Sequence, residues 1–259
     1  MERPRLKKGL GQHHLRHPGL CRPLIDFLSP AGDRVVEVGP GGGVLTEALL
    51  AADARVTAWE LDLAWAFTVA RRLNSPDLKI VVGDALEVPW ELLPDGIKIA
   101  GNLPYNVATH LLDAMLEAGG RLRRLGVLVQ LEVAERIVAE PGSKAYGALS
   151  VLTRARAEAR LLGRVRAGSF VPPPKVESAF VGLTPRADRL TGECWIELRR
   201  LVHAAFGQRR KTLRNALSAR WPRDEVADAI ATVGVEADAR AEQLPLEVFV
   251  SLSDRLRSV

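Results

Sequence analysis

Short apolar, often β-branched runs alternate with stretches of helical periodicity through the N-terminal half, and that alternation constrains the fold more than any single residue does. The runs are Arg34–Val38, Arg55–Trp59, Leu78–Val82, Lys98–Ala100 and Leu125–Leu131. Helical spacing follows in Leu45–Ala51, Leu63–Leu73, Ala108–Leu116 and the segment EVAERIVA after Leu131. Strands that alternate with helices form parallel βαβ units, so the expected class is α/β with a doubly wound sheet. Ala145–Ala157 predicts a further helix, and Arg160–Arg166 with Val176–Leu183 would close the sheet as a hairpin-like pair. Beyond Pro185 the strand pattern stops. WIELRRLVHAAFGQRRKTLRNAL, Asp224–Val233 and Leu246–Leu256 have helical spacing, which predicts a small all-helical domain. The expected division is residues 1–184 and 185–259.

Composition excludes several classes. No apolar run approaches the roughly 20 residues that cross a bilayer, and the basic N-terminus MERPRLKKGLGQHH lacks the apolar core of a secretory signal. Cys21 and Cys194 are the two cysteines and form no CxxC pair, against a disulfide scaffold or four-cysteine zinc site and in keeping with a reducing cytosol. His13 and His14 suggest no third ligand, so no metal is expected. The net charge of +5 is concentrated. Arg3, Arg5, Lys7 and Lys8 crowd the N-terminus, and Arg209, Arg210, Lys211 and Arg214 crowd a later segment, with Arg210 and Arg214 placed i, i+4 on one helix face. Such clusters are either solvated faces or, through counterion release, nucleic-acid contacts.

The loops at the strand ends carry the chemistry. EVGPGGGVLT places Gly39, Gly41 and Gly43 between a strand and a helix, where missing Cβ atoms let a ligand approach the backbone. Glu60 ends the next strand, suited to accept from ribose hydroxyls, and Asp84 ends the third, suited to accept from an adenine amine. Each acid alone is as easily a solvated strand end; together with the glycine turn they outline a crevice at the carboxyl edge of the sheet. No cations are placed to grip a pyrophosphate, so S-adenosylmethionine suits the crevice better than a nicotinamide dinucleotide.

GNLPYN, Gly101–Asn106, decides between them. An adenine N6 amine is a weak nucleophile because its lone pair is delocalised into the ring. The Asn102 side-chain oxygen and the Leu103 carbonyl can accept from its hydrogens and localise that pair. Pro104 fixes the backbone, and Tyr105 can stack on the base at roughly 1–3 kcal/mol. Asn106 would cap the helix that follows.

With these stretches the chain resembles the ribosomal RNA adenine N6,N6-dimethyltransferases, and among them the small-subunit (16S) type. The resemblance rests on KKGLGQ, VEVGPGGGVLT, ELD, GDAL, GNLPYN, SKAYGALSV, FVPPPKVESA and AFGQRRKTLRN, and spans almost the whole chain. It implies a Rossmann-like methyltransferase sheet with a helical RNA-recognition domain, S-adenosylmethionine as cofactor, and two adjacent adenines of 16S rRNA in a small-subunit precursor as substrate. It also implies a cytoplasmic monomer. His13, Leu15, Gly39, Gly41, Glu60, Asp84 and Asn102 would hold or shape the cofactor pocket. Asn102, Leu103, Pro104 and Tyr105 would hold the target adenine, with Phe170 stacked on its other face. Arg209, Arg210, Lys211 and Arg214 would meet RNA phosphates. The chain departs from the family in having His14 where an aromatic ring is usual and Leu131 where lysine is frequent. The alternatives are the related 23S rRNA methyltransferase of the macrolide-resistance type, a ribosome-assembly factor on the same scaffold and, more distantly, a nicotinamide oxidoreductase.

Overall fold

In the computed structural model of the protein, residues 4, 12–208 and 210–257 are described. By compactness the chain divides into one unit of Met1–Ala134 with Glu158–Pro185, and a second of Glu135–Ala157 with Arg186–Val259. The segment 135–157, expected in the larger domain, thus groups with the C-terminal helices.

The first unit opens with a two-residue strand β1 (His14–Leu15), then α1 (Arg22–Leu28) and β2 (Arg34–Val38). Next come α2 (Val44–Ala51), β3 (Arg55–Glu60), α3 (Leu63–Leu73), β4 (Leu78–Val82), β5 (Ile97–Asn102), α4 (Ala108–Leu116) and β6 (Leu122–Gln130). Every expected strand and helix of this stretch is present, with ends within three residues of the expectation. Leu131, expected to end β6, instead begins the next helix, α5 (Leu131–Val138). Its N–H donates to the Glu177 carbonyl at 2.9 Å, which turns the chain out of the sheet.

Past α6 (Ala148–Arg154), the strands β7 (Ala157–Val165), β8 (Phe170–Val171) and β9 (Ser178–Pro185) complete the unit. The seven-stranded sheet runs β4-β3-β2-β5-β6-β9-β7, and β8 pairs with β1 in a separate ribbon. β4, β3, β2, β5 and β6 are mutually parallel, whereas β9 lies antiparallel to β6. The chain leaves β2 in one direction, through β3 and β4, and returns on the other side at β5. The switch point of the sheet therefore falls between β2 and β5, where ligands bind in open α/β sheets.

One face of this sheet buries Val35, Val56, Ala58, Ala100, Leu128 and Phe180 under Leu24, Phe27 and Leu28 of α1 and Leu45, Ala48 and Leu49 of α2. Gly126 and Gly182 face each other across β6 and β9. A Cβ on Gly182 would come within 2.8 Å of the Phe27 ring, and one on Gly126 would collide with Leu24. The bare backbone at these two positions lets α1 lie directly on the sheet.

The second unit contains, after α6, the helices α7 (Gly192–Phe206), α8 (Leu213–Leu217), α9 (Arg223–Val233) and α10 (Leu246–Arg255), with no strand among its described residues after Pro185. Trp195, Leu198, Val202, Trp221 and Phe249 are buried in its core, with Phe206 partly buried against it. The Tyr146 hydroxyl donates to the Leu244 carbonyl and the Trp221 indole to that of Leu256, both at 2.9 Å. The Arg156 guanidinium lies 4.6 Å from the Trp195 ring. The long helical pattern from Trp195 to Leu217 is broken between Gly207 and Thr212, because Thr212 caps α8 by accepting the Asn215 N–H. Arg210 consequently sits in the turn before α8, and the expectation that it shares a helix face with Arg214 is corrected. No helix of the described residues is long and apolar enough to cross a membrane.

Candidate active site

The loops after β2, β3, β4 and β5 converge on one cleft. It is lined by the glycine turn (Gly39, Gly41), by Trp59, Glu60 and Leu61, by Asp84 and Leu86, and by Asn102–Val107, with Gln12, His13 and His14 as a further wall.

The turn after β2 needs glycine. Gly39, Gly41 and Gly43 have φ of 68°, 48° and 76°, where a side chain is strained. Space is as short as conformation: a Cβ on Gly41 would lie 2.7 Å from His14 Nε2. The His14 ring also meets the Trp65 ring edge-on, 4.4 Å between centroids. His14, the departure from the family pattern, thus packs between the turn and α3. Arg72, which the sequence reading passed over, donates to the carbonyls of Gly42 at 3.1 Å and Gly43 at 2.9 Å and pairs with Glu47 at 2.7 Å. An arginine in the last turn of α3 is a weak signal, and only the fold brings it back across the turn.

Glu60 is 5% exposed. Its Oε2 accepts the Gly41 N–H and its Oε1 the Asp62 N–H, both at 2.9 Å. Burial pushes its pKa above the ordinary carboxylate range, and the two N–H donors act against that rise. Each oxygen keeps a further lone pair, so the carboxylate is oriented by the backbone and can still accept from a ligand. Asp84 Oδ1 accepts the Leu86 N–H at 2.9 Å, which fixes that side chain at the cleft as well. Trp59 and Leu86 supply apolar walls beside the two acids, and Trp59 packs against Gly83. Acids paired with flat apolar surface fit a nucleoside: polar ribose and amine edges, and a base with two faces.

At the end of β5, Asn102 Nδ2 donates to the His13 carbonyl at 2.8 Å. A carbonyl can only accept, so this contact settles which branch of the amide is nitrogen and leaves Oδ1 as the acceptor branch. Leu103 is buried, its N–H bound to the Leu128 carbonyl at 3.0 Å. Pro104 accepts the Val107 N–H at 3.1 Å, closing the turn. α4 is capped at Val107 with no side-chain bond, so Asn106, which is exposed, does not cap it as expected. The Tyr105 hydroxyl pairs with Ser178 Oγ at 2.6 Å, and burial raises its pKa. Ser178 lies in the FVPPPKVESA stretch, but nothing in the sequence pairs it with Tyr105.

His13 occupies the Tyr105 ring face, 5.3 Å between centroids at 23°. Its Nδ1 lies 2.8 Å from the Pro172 carbonyl, which assigns the proton to Nδ1. Phe170 is the residue the structure does not bring to the site. It pairs with Leu15 between β8 and β1, is 0% exposed, and is absent from the cleft walls. The expectation that it stacks on a base is corrected for this conformation, in which the His13 ring takes that place beside Tyr105. Leu15 is likewise buried in the core, against a small void shared with Gly39 and Asn102 rather than the main cleft.

Arg210, Lys211 and Arg214 of the second unit are exposed. Arg209 and the cluster Arg3, Arg5, Lys7 and Lys8 lie outside the described residues. Among the described residues no group of three or more acids, histidines and cysteines could hold a metal.

Comparison with known proteins places these features in context. The family model described as "Ribosomal RNA adenine dimethylase" matches residues 3–258. The chain is 43% identical to "Ribosomal RNA small subunit methyltransferase A" of Novosphingobium aromaticivorans, covering 95% of this chain and 91% of that protein. It is 42% identical to the protein of the same name from Phenylobacterium zucineum, covering 96% and 87%. Among solved structures, the 23S rRNA methyltransferase ErmE superposes with a TM-score of 0.73 at 27% identity, covering 94% of this chain and 99% of that one. A dimethyladenosine transferase from Plasmodium falciparum shares the fold at a TM-score of 0.80 and 24% identity, covering 93% and 96%.

Proposed function

The chain belongs to the ribosomal RNA adenine dimethylase family, and from that premise we propose that it transfers methyl groups from S-adenosylmethionine to N6 of two adjacent adenines near the 3′ end of 16S rRNA. The substrate is a small-subunit precursor, met by a monomer in the cytoplasm. The observation that carries the reading is the amide of Asn102, held by the His13 carbonyl so that its oxygen remains as acceptor in the cleft wall beside Tyr105.

Glu60, Asp84, Trp59 and the glycine turn suit the cofactor's ribose, amine, base and remaining chain. S-adenosylmethionine, when bound, supplies a methyl group already activated by its sulfonium. The protein's work is then alignment rather than strong base catalysis. Asn102 Oδ1 and the Leu103 carbonyl accept from the N6 hydrogens and localise the nitrogen lone pair. Tyr105, anchored by Ser178, offers its ring to the base, and the released proton passes to water. A base must leave its helical stack to reach this cleft, and His13 must leave the tyrosine face for it.

Arg210, Lys211 and Arg214 are assigned to RNA phosphates. Neutralising Arg210 and Lys211 together is expected to weaken RNA binding severalfold. It should also flatten the dependence of log K on log salt by about 0.7–0.9 per charge removed. An unchanged slope would return the cluster to a solvated surface.

The deciding experiment incubates the protein with methyl-labelled S-adenosylmethionine and unmethylated small subunits, and maps the labelled nucleotides. Two neighbouring N6,N6-dimethylated adenines near the 16S 3′ end are expected. Label in 23S rRNA alone would replace this reading with the macrolide-resistance type, and no label would leave a non-catalytic assembly role.

A further inference from the structure

Glu37 is a carboxyl that the reaction above does not use. It lies on β2 two residues before the glycine turn and is 0% exposed. It shares a sheet face with Val35, the face covered by α1 and α2. Neither of its oxygens has a hydrogen-bond partner of ordinary geometry, nor has the hydroxyl of Thr46, also 0% exposed, which faces it from the first turn of α2. The titratable groups that act on it are Glu60 on β3 and Cys21 in the turn before α1. Both are acids, and among the described residues no cation offsets a charge there. A buried carboxylate with no cation and no donor but Thr46 costs several kcal/mol, so burial favours the protonated form. Burial first, then Glu60, pushes the pKa of Glu37 up to about 8, with Thr46 acting in the opposite sense. Cys21, raised to about 12 chiefly by burial, is also neutral.

We propose that Glu37 is a positioning residue. Held as the neutral acid beneath the glycine turn, it keeps the turn and Glu60 in the geometry that receives the cofactor, and its ionisation releases that geometry. Ionised, it would set a second negative charge beside Glu60, whose Oε2 fixes Gly41. The inference rests on the S-adenosylmethionine reading of the cleft. The sign follows from the raised pKa: the neutral form predominates below about 8 and is lost as pH rises through it.

The test is calorimetric binding of S-adenosylhomocysteine from pH 7 to pH 9 by the wild type and by Glu37→Gln, which keeps shape and neutrality. The dissociation constant of the wild type should rise about tenfold, as for loss of one proton near pH 8. Glu37→Gln should bind within threefold of wild type at pH 7 and lose that rise; titration of the ligand itself is common to both proteins. Equal pH dependence in the two overturns the inference and leaves the cofactor reading intact. No binding by the wild type at pH 7 overturns both. Should Glu37→Gln fail to fold, infrared spectroscopy of the wild type decides. A neutral carboxylic acid band present at pH 7 and lost above pH 9 supports the proposal, and its absence sinks it.

Discussion

The loops after β2 and β5 flank the same switch point of the sheet, yet they are held in opposite ways. The β2 loop is tied through its backbone: Gly41 N–H to Glu60, the Gly42 and Gly43 carbonyls to Arg72, and the His14 ring against the bare Cα atoms. The β5 loop is tied through one end of each side chain: Asn102 by its nitrogen to His13, and Tyr105 by its hydroxyl to Ser178. The first arrangement makes a rigid rim. The second leaves the amide oxygen uncommitted and fixes where the aromatic ring points, with His13 stacked on its face. A loop that must hold a ligand can spend its main chain on the scaffold, whereas a loop that must act on one has to keep one end of each side chain uncommitted.

That contrast is most exposed at Asn102. Asn102→Ala removes the acceptor aimed at the amine and is expected to lower kcat by about 10²–10³, the range for deleting one oriented transition-state hydrogen-bonding group. RNA affinity should stay within twofold. Near-normal turnover in single-turnover assays would erase the distinction between the loops.

On the rim side, Glu60→Gln keeps one neutral acceptor for the two N–H groups of Gly41 and Asp62, so one of them faces an amide NH2 instead of an oxygen. A hydrogen bond to a charged group is worth about 1.5–3 kcal/mol, so the KM for S-adenosylmethionine should rise roughly 10- to 100-fold with kcat within threefold. A loss confined to kcat would mean that the rim takes part in the chemistry.

Gly41→Ala probes the rim's rigidity. Its cost has two parts, a left-handed backbone worth about 1–2 kcal/mol and a collision with His14. Thermal unfolding should move down by several degrees. Adding His14→Ala should recover the collision but not the backbone part. Full recovery, or none, would show that one of the two constraints is illusory.

The smallest effect is expected at Tyr105→Phe, which gives up the bond to Ser178 but keeps the ring. A loss of about 1 kcal/mol in kcat/KM corresponds to roughly fivefold. Ser178→Ala should cost a similar amount, and the two together should be less than additive because they remove one interaction.

The strand–helix alternation, the glycine turn, Glu60, Asp84 and the Asn102–Tyr105 stretch were all legible in the sequence because each is local. Period and turn chemistry are written in neighbouring residues, and a doubly wound sheet then carries consecutive strand ends to one edge. Legibility failed where a residue's surroundings come from elsewhere. Phe170 reads as a loop aromatic beside prolines, but pairing of β8 with β1 draws it under Leu15 into the core. Arg210 reads as helical until Thr212 takes the cap. Asn106 reads as a cap, and Val107 takes that position instead. Arg72 carries no motif, Ser178 stands in one that does not announce its partner, and each reaches the site across the fold.

Sequence alone therefore determined the sheet, its reactive edge and which residue types stand there, since these follow from periodicity and from short-range steric rules. Tertiary structure decided their working state. The Asn102 amide is turned by a carbonyl 89 residues away, the Tyr105 ring is covered by the His13 imidazole, and the pKa of the Glu37 carboxyl is pushed up by burial. Orientation, access and protonation depend on what is packed against a group in space, and no local pattern records that.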